Sequence, residues 1–494
     1  MAALLVFSLV LSSLQSFAAG VPVLVERSAA SAICTNWNMS YKLTAITAPT
    51  RGFSAVPAGG QEWNINIDDS SAGHKQAITG FGAAVTDATV STFNSLSSST
   101  LSKLLGTLVT PSGANFNLMR HTIGSSDLTP DGAAYSYDDS SAPDTSLSKF
   151  ALGSKGTAMA NLLASMKKQN SNMKILGSSW SPPGWMKTNQ ALMGNLTNNN
   201  LSDRYLDSSQ TDYSTAFANY FVKYIQAFNK LGANVDAITI QNEPVWSTAG
   251  YPSMYMYDYE QGNLIQYSVG PALANANLAT SIWAYDANTD LPSFPQNILT
   301  MASKYVNTVA WHCYADSLDW SAMTTFQQAN PGVQQIMTEC WTPAISGQSD
   351  WYHAANFTMG TLQNWASGAL AWTLGADPNN GPHMTNGCSY CQGLVTINSA
   401  TSYTFNMAYY LMAQFSRYIP RGAIILSGTG STSSPKDLGV QFVSSLNPDN
   451  TKTVVILNTL SKDVYLELTL SSSGAQWSGK IPTNSLVTWV LPSS

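Results

Sequence analysis

Eight short apolar segments, separated by amphipathic helical patterns, constrain the fold of this chain more than any other feature of its sequence. They lie between about residues 76 and 375 and read AITGFGAAV, NFNLMRHTIG, MKILGSSWSP, DAITIQNEP, TSIWAYDA, TVAWHCYA, QQIMTECW and GALAWTLGA. Near-continuous hydrophobic runs of this kind are typical of parallel strands that are covered on both faces. Between them, apolar residues recur at helical spacing, as in Phe217, Phe221, Tyr224 and Phe228. Eight strand–helix units over roughly 300 residues predict a (β/α)8 barrel, with an open doubly wound sheet as the alternative.

The character of the sequence changes after about residue 400. A helical pattern, FNMAYYLMAQFSRYI, is followed by LGVQFVSSL, TKTVVILNTL, DVYLELTLS and NSLVTWVL. Alternating apolar residues, as at Val464, Leu466 and Leu468, predict half-buried antiparallel strands and therefore a small β-sandwich. We expect the barrel over residues 77–400 and the β-sandwich domain over residues 401–494. Residues 21–76 lack helical patterns, and we expect them to contribute strands to the sandwich.

The N-terminus has the pattern of a secretory signal peptide over residues 1–20. MAALLVFSLVLSSLQSFAAG combines an apolar run with small residues that fit a cleavage site, although a buried N-terminal strand is the alternative. Sequons for N-glycosylation occur at Asn38, Asn195, Asn200 and Asn356. No later segment is long and apolar enough to cross a bilayer. We therefore expect a secreted, extracellular glycoprotein without a membrane partner.

The low charge of the chain argues against several classes of partner. Charged residues make up only 10% of the sequence, and the formal net charge is -6. A nucleic-acid partner would require a clustered basic surface, and the sequence contains no run of Lys or Arg. Motifs for cofactors and metals are also missing: GFGAAV lacks the third glycine of the dinucleotide fingerprint, and neither G-x-S-x-G nor H-E-x-x-H occurs. We expect no nucleic-acid partner and no metal.

The five cysteines predict one local disulfide. Cys388 and Cys391, in CSYC, lie in a loop rich in Gly and Asn, where a disulfide is the expected state in an oxidising compartment. An odd count leaves at least one thiol free, and we expect that thiol at Cys313 or Cys340.

Polar residues stand at the ends of two predicted strands, which is where catalytic groups lie in such barrels. The fourth segment ends in QNEP, with Asn242 and Glu243, and the seventh ends in TEC, with Glu339. Strands four and seven lie three steps apart in an eight-strand ring, so the two glutamates can face each other across its mouth. Two facing carboxyl groups are what glycosidic-bond cleavage needs, because one donates a proton while the other attacks the sugar or activates water. The alternative is that each glutamate only pairs with a nearby basic residue.

Aromatic residues at or beyond the predicted strand ends favour a sugar ligand. Apolar sugar faces stack on such rings, while the edges of the sugar take hydrogen bonds. The set consists of Trp180, Trp185, Trp246, Trp311, Tyr314, Trp341 and Trp372.

Seven motifs, in the order GFGAAVTDA, LMRHTIGSSDL, YSYDD, SSWSPPGWMKT, QNEP, AWHCYA and MTECW, carry a resemblance. The region from about Gly80 to Trp372 resembles glycoside hydrolase family 30, a group of retaining glycosidases. The resemblance implies an α/β fold, a (β/α)8 TIM barrel with an attached C-terminal β-sandwich domain. It also implies a glycoside hydrolase that works by double displacement and requires no cofactor.

The resemblance assigns catalytic roles to individual positions. It implies that Glu243 is the general acid/base and Glu339 the nucleophile. Asn242 is expected to hold the sugar 2-hydroxyl, and Arg120 is expected to lie beneath the nucleophile and lower its pKa.

Substrate-binding residues follow from the same resemblance. Tyr314 is expected to donate a hydrogen bond to the nucleophile, and His312 to line the same wall. Asp87, Trp180 and Trp372 match positions that hold the non-reducing sugar in the glucosylceramidase-like branch.

Departures from the family pattern bear on the substrate. Arg120 is followed by HTIGSSDL, where glucosylceramidase and the β-1,6-glucanases tend to have Val-Pro or Phe-Pro and then DF. This difference, including His121 and Thr122, favours the fungal β-1,6-galactanase branch. A xylanase that reads glucuronic acid would need basic residues in the loop after strand seven, and residues 344–364 contain none except His353.

We therefore expect a monomeric, secreted, retaining endo-glycosidase that cuts β-1,6 linkages in a polysaccharide or oligosaccharide, with arabinogalactan side chains as its substrate. An endo-β-1,6-glucanase that acts on fungal cell-wall glucan is the alternative. A non-catalytic carbohydrate-binding protein is the alternative of a different class. Retention implies carboxyl groups about 5–5.5 Å apart, whereas inversion implies about 6.5–9.5 Å.

Overall fold

In the computed structural model, eight parallel strands close into a barrel in which each strand pairs with the next along the chain and the last pairs with the first. The structure describes residues 29–196, 199–202, 212–344, 347–432 and 439–493, so the expected signal peptide lies outside the described residues. The barrel strands, β1 to β8, are Gly80–Val85, Leu118–Ile123, Lys174–Ser179, Ala237–Thr239, Ser281–Asn288, Val306–His312, Gln334–Glu339 and Ala366–Ala371. This closed order confirms the predicted (β/α)8 barrel and rules out the open sheet.

The barrel strands are buried on both faces, which explains their near-continuous apolar sequences. All six positions of β1, β2 and β8 are buried. Side chains from seven of the strands form a cluster separate from the main core, as expected for the filled interior of a barrel: Leu118, Leu176, Ala237, Trp283, Ala310, Ile336 and Leu370.

The helices surround the barrel. The first two begin at side-chain caps, because the Thr86 and Ser97 hydroxyls accept the backbone N–H groups of Thr89 and Thr100. The predicted apolar face of the helix after β3, including Phe217 and Phe228, is fully buried. The α-helices, α1 to α10, are Asp87–Asn94, Ser98–Val109, Gly153–Gln169, Asp212–Lys230, Asp258–Leu264, Gly270–Asn275, Ser293–Ala302, Ser321–Ala329, Gln348–Gln363 and Met407–Ser416. A π-helical turn, Ile265–Val269, joins α5 to α6, and 3-10 turns occupy Ser71–Gly73 and Gly184–Met186. Among the described residues, no helix combines the length and the hydropathy needed to cross a membrane.

The C-terminal β-sandwich is completed by strands from the N-terminal segment. Gln61–Asp68 pairs in parallel with Val464–Leu470 and antiparallel with Ile424–Thr429, and Ser31–Asn36 pairs antiparallel with Ser485–Leu491. The strands of this domain are Ser31–Asn36, Thr44–Ile46, Thr50–Arg51, Gln61–Asp68, His74–Ala77, Ile424–Thr429, Val440–Leu446, Lys452–Asn458, Val464–Leu470, Gln476–Ile481 and Ser485–Leu491. A separate small sheet, beyond β8, contains Gly375–Ala376, Val395–Ser399 and Ser402–Phe405.

The cysteines form two disulfides, and one of the two cysteine predictions was wrong. Cys388 and Cys391 are bonded to each other, as predicted. Cys313 and Cys340, which were expected to include the free thiol, form the second disulfide, and the free cysteine is the buried Cys34. Cys313 follows β6 and Cys340 follows β7, and these adjacent strands bring the two sulfurs together. The positions of the cysteines along the sequence do not show this adjacency, so the pairing was missed.

Two of the four predicted glycosylation sites are buried. The side-chain amide of Asn200 donates to the Tyr255 carbonyl, and that of Asn356 donates to Gln441 Oε1. A glycan on either nitrogen would disrupt an interior hydrogen bond, so the structure argues against glycosylation at these two sequons. Asn38 is exposed and Asn195 is half-buried, and their glycosylation stays a prediction.

Candidate active site

The two glutamates singled out in the sequence meet at the C-terminal mouth of the barrel. Glu339 is the last residue of β7, and Glu243 follows shortly after β4. His312, the last residue of β6, lies between them, with Nδ1 3.1 Å from Glu243 Oε1 and 4.0 Å from Glu339 Oε1. A carboxylate oxygen of Glu243 lies within 4.8 Å of one of Glu339. This approach is close to the separation of retaining glycosidases and well below that of inverting enzymes.

A cavity of about 630 Å³ opens above the glutamates and contains both of them in its wall. Its size is within the range of roughly 300–1,000 Å³ that is usual for ligand pockets. The Glu339 side chain is 7% exposed and the Glu243 side chain is 19% exposed, so both carboxyl groups are reachable but largely shielded from water. The cavity wall also includes Asp127, Trp180, Asn242, Trp246, Tyr251, Tyr314, Asp316, Trp341, Trp372, Asn386 and Tyr390.

Arg120 anchors the floor beneath the nucleophile candidate. Its guanidinium group is fully buried, donates to Glu339 Oε2, and donates to Asn242 Oδ1 at 2.6 Å. The same group lies 4.8 Å from the centre of the Trp180 ring. Since Asn242 accepts this bond through its oxygen, the amide nitrogen is the part of Asn242 that is left for a ligand. The structure therefore places Arg120 where the resemblance predicts it.

Asp286, in β5, is a buried acid that sequence reasoning missed. Its carboxylate accepts bonds from five side chains: Arg120, His312, Ser178, Thr239 and Thr338. The backbone carbonyl of Asp286 also accepts the N–H of Glu243, whose φ of 46° lies in the left-handed region. An acid inside the otherwise apolar segment SIWAYDA was the available signal, because a barrel interior tolerates a charge only when it is paired.

Burial and charge together set the protonation of these groups. Burial raises the pKa of Glu339, and the positive charges of His312 and Arg120 oppose that rise. Burial alone would lower the pKa of His312, but the carboxylates of Glu339, Asp286 and Glu243 outweigh it and raise the pKa to about 9. Burial is likewise outweighed at Asp286, where Arg120 and His312 hold the pKa well below its usual range. The surrounding carboxylates thus favour the protonated form of His312.

Tyr314 completes the set of contacts to Glu339. Its hydroxyl donates to Glu339 Oε1 at 3.0 Å, while Arg120 binds the other oxygen. Both oxygens of the Glu339 carboxylate are thus oriented by donors, as a nucleophile that must approach one atom requires. Tyr314 lines the cavity, as predicted. His312 does not line it: the ring is fully buried behind the wall, where it contacts Glu243 and Asp286, which corrects its assignment as a substrate-binding residue.

Five of the seven aromatic residues predicted to bind sugar line the cavity. Trp180 and Trp372 stack on each other, with ring centres 5.2 Å apart. Trp185 and Trp311 were wrongly included: both are buried, and their indole N–H groups bond to the Asp138 carbonyl and to Gln335 Oε1. The sequence could not separate these two from the rest, because it does not show whether a side chain near a strand end points into the cavity or into the core. The five that line the cavity are Trp180, Trp246, Tyr314, Trp341 and Trp372.

Asp87 does not line the cavity, which corrects its assignment as a sugar-binding residue. Its two carboxylate oxygens accept the hydroxyls of Thr129 and Tyr135. Asp127, two residues before Thr129, instead lies in the cavity wall. Burial and the nearby charges of Glu339 and Glu243 raise the pKa of Asp127 to about 7.

Among the described residues, two groups of side chains have the spacing of metal ligands. Cys313 and Cys340 of the first group are joined in a disulfide, so they offer no thiolate to accompany His353. His312 of the second group has Nδ1 and Nε2 engaged by Glu243 and Asp286, and its raised pKa opposes the loss of a proton that metal binding requires. Neither group is suited to hold a metal ion.

Comparison with known proteins places the chain in one family. Residues 78–419 match the Glycosyl hydrolase family 30 TIM-barrel domain, and residues 429–489 match the Glycosyl hydrolase family 30 beta sandwich domain. The chain is 59% identical over 470 residues to an endo-1,6-beta-D-glucanase of Aspergillus fumigatus, and the match covers 94% of this chain and 95% of that protein. An endo-1,6-beta-D-glucanase of Trichoderma harzianum is 57% identical over 465 residues, covering 94% of this chain and 93% of that protein.

A solved structure of an endo-beta1,6-glucanase has the same architecture. It is 26% identical and superposes with a TM-score of 0.80, covering 94% of this chain and 99% of that chain. The family assignment agrees with the two domains, the order of the barrel strands and the paired glutamates. The chain belongs to glycosyl hydrolase family 30 and is a glycoside hydrolase.

Proposed function

We propose that this protein is a secreted endo-β-1,6-glucanase that hydrolyses β-1,6-linked glucan with retention of configuration. The observation that carries the chemistry is the close approach of Glu243 and Glu339, whose carboxylate oxygens come within 4.8 Å. The substrate follows from the relatives, which are named endo-1,6-beta-D-glucanases and match more than nine-tenths of the chain. These relatives favour glucan over galactan, so the preference for arabinogalactan drawn from HTIGSSDL is withdrawn.

The proposed reaction has two steps at one sugar. The carboxylate of Glu339 attacks the anomeric carbon and forms a glycosyl ester, while protonated Glu243 donates its proton to the departing glycosidic oxygen. Water, deprotonated by Glu243, then attacks the same carbon and releases Glu339 as a carboxylate. Two inversions at one carbon give net retention.

The surrounding residues supply orientation and charge. Arg120 and Tyr314 each hold one oxygen of Glu339, which fixes the attacking carboxylate. We assign the Asn242 amide nitrogen to the sugar 2-hydroxyl, a contact that strengthens in the transition state. The stacked pair Trp180 and Trp372 would form the apolar floor beneath the sugar.

The substrate test uses two polysaccharides. We expect the protein to release gluco-oligosaccharides from pustulan, a β-1,6-glucan, and to leave debranched arabinogalactan intact. Proton NMR of the first product formed should show the β-anomer before mutarotation. Release of oligosaccharides only from arabinogalactan would contradict the proposal.

A second test separates catalysis from carbohydrate binding alone. Glu339→Ala should abolish turnover while pustulan still binds, because the variant loses the nucleophile and keeps the aromatic floor. Unchanged turnover in this variant would remove Glu339 from the mechanism. Absence of turnover in the unaltered protein, with binding retained, would favour a non-catalytic carbohydrate-binding protein.

Secretion rests on two independent features of the chain. The first twenty residues have signal-peptide character, and two disulfides are present, which persist chiefly in oxidising compartments. Expression of the full chain in a fungal host, with N-terminal sequencing of the protein recovered from the medium, tests this assignment.

A further inference from the structure

A short loop closed by the Cys388–Cys391 disulfide forms part of the cavity rim and has no role in the chemistry described above. Two contacts fix this loop, which follows β8. Cys391 packs in a cluster with Trp180 and Trp372. The Cys388 N–H donates to Asp127 Oδ2 at 3.3 Å. The disulfide loop is thus attached to the aromatic floor and to the buried acid of the cavity.

Tyr390, at the tip of the disulfide loop, is the most exposed aromatic residue of the described chain, at 63%. Its ring makes a T-shaped contact with Trp341, at 5.6 Å between ring centres, and Trp341 lies two residues after Glu339. A ring this exposed adds little to the core, yet its position is defined by the disulfide and by Trp341. A single exposed ring is common, but exposed apolar patches mark binding surfaces, and Tyr390, Trp341 and Trp246 all line the same cavity.

Trp246 lies in the loop after β4, a strand that is opposite β8 in the barrel. It is 53% exposed, and its indole N–H donates to the Tyr251 hydroxyl at 2.9 Å. The two loops meet where Gly250 faces Asn386: a Cβ on Gly250 would lie 2.6 Å from the Asn386 Cβ. The rim that carries Trp246 and Tyr390 is therefore continuous.

We propose that Tyr390, presented by the disulfide loop and assisted by Trp246, stacks on sugar units adjoining the one held at the glutamates. This inference rests on the proposed function and assigns the rim to a β-1,6-linked chain longer than one hexose. Trp180 and Trp372, being buried, are available only to the innermost sugar. The exposed rings extend the same aromatic surface outward along the chain, and stacking does not depend on the orientation of individual hydroxyls.

The test measures binding by calorimetry in a Glu339→Gln background, which should leave the ligand intact. The probes are a β-1,6-linked glucopentaose and an iminosugar the size of one hexose. Tyr390→Ala should weaken pentasaccharide binding about tenfold, the equivalent of about 1.4 kcal/mol, and leave the iminosugar affinity unchanged. Tyr390→Phe should restore the parent affinity, because stacking requires the ring and not the hydroxyl.

Two further variants separate binding from folding. Tyr41→Ala, at an exposed tyrosine on the β-sandwich, should alter neither affinity. Replacing Cys388 and Cys391 together with Ser should weaken pentasaccharide binding and make the additional Tyr390→Ala change nearly silent, since the ring is then no longer held in place.

The outcomes distinguish this inference from the proposed function. Unchanged pentasaccharide affinity in Tyr390→Ala, or an equal loss for the iminosugar, would overturn the stacking role while hydrolysis of pustulan still supports the enzyme assignment. Failure of the unaltered protein to hydrolyse pustulan would overturn both.

Discussion

Residues from six of the eight barrel strands meet beneath the paired glutamates, where the Asp286 carboxylate accepts hydrogen bonds from Arg120, Ser178, Thr239, His312 and Thr338. Glu243 and Glu339 each follow an apolar run, and the parallel strands of a barrel place the ends of such runs at one mouth. Asp286 lies inside the predicted strand SIWAYDA, and nothing local indicates that side chains from five separate positions converge on it. Contacts of that kind depend on the closed ring, which brings β2 to β7 around a common interior.

Removal of the Asp286 carboxylate should be costly because it leaves Arg120 buried without one of its two anionic partners. We expect Asp286→Ala to lower the free energy of unfolding by about 3–5 kcal/mol. Urea denaturation measures the change. Lys480→Ala, which removes an exposed ion pair with Asp463, is the matched control and should cost about 1 kcal/mol or less. Equal losses in the two variants would show that Asp286 is not essential to the network.

The contribution of His312 to the free energy of unfolding should decrease at alkaline pH. Its pKa rises from 6.5 to about 9 on folding, so its contribution is fully present below pH 6.5 and is lost as the pH rises through about 9. The contribution amounts to about 3 kcal/mol. Lys187 and Lys75, whose pKa values burial lowers to about 7 and about 8, act in the opposite direction over the same range. The test is therefore the difference between variants: the stability advantage of the parent over His312→Gln should shrink as the pH rises from 6 to 10. His74→Gln, a change at an exposed histidine, should keep the slope of the parent.

At the scale of elements, the strands and helices followed from hydrophobic periodicity, but the disulfide pairing did not. Periodicity reports which face of a segment is buried, and it contains no information on which strand ends are neighbours. Cys313 and Cys340 are paired because β6 and β7 are adjacent and parallel. Periodicity also does not show whether a side chain near a strand end points into the cavity or into the core, which is why Trp185 and Trp311 were wrongly included among the cavity residues.

The Cys313–Cys340 disulfide should contribute more stability than the Cys388–Cys391 disulfide. It spans 27 residues of chain, against 3 for the other, and loop-closure entropy predicts about 3–4 kcal/mol against about 2 kcal/mol. Paired Cys→Ala variants, compared by urea denaturation, test this order. The Cys313/Cys340 variant should also lose activity, because its two cysteines flank Tyr314 and Glu339. A larger stability loss in the Cys388/Cys391 variant would contradict the entropic explanation.

At the scale of the whole molecule, helix α10 joins the barrel to the β-sandwich. Gln414, fully buried, donates to Thr35 Oγ1 and to the Leu486 carbonyl, and accepts from the Thr488 hydroxyl. The two strands that it contacts come from opposite ends of the sequence. The prediction of a β-sandwich is confirmed. Its attachment to the barrel through α10 could not be predicted from the sequence, because the contacts of Gln414 join strands that are far apart along the chain.

This attachment predicts that both domains unfold together. Calorimetry should record a single transition, and Gln414→Leu should shift that transition down by the equivalent of about 1–3 kcal/mol, because buried polar partners are left unsatisfied. Two separate transitions, with only one of them shifted, would show that the domains are energetically independent.

The pairing of Ser31–Asn36 with Ser485–Leu491 has a consequence for biosynthesis. This strand, the first among the described residues, can pair with Thr44–Ile46 soon after synthesis, but its other edge has no partner until the last strand has been translated. One edge of the early segment must therefore stay open while the barrel forms behind it. Chaperones that shield nascent strands would act on this protein at its beginning, and a premature stop codon near its end would expose the same segment permanently.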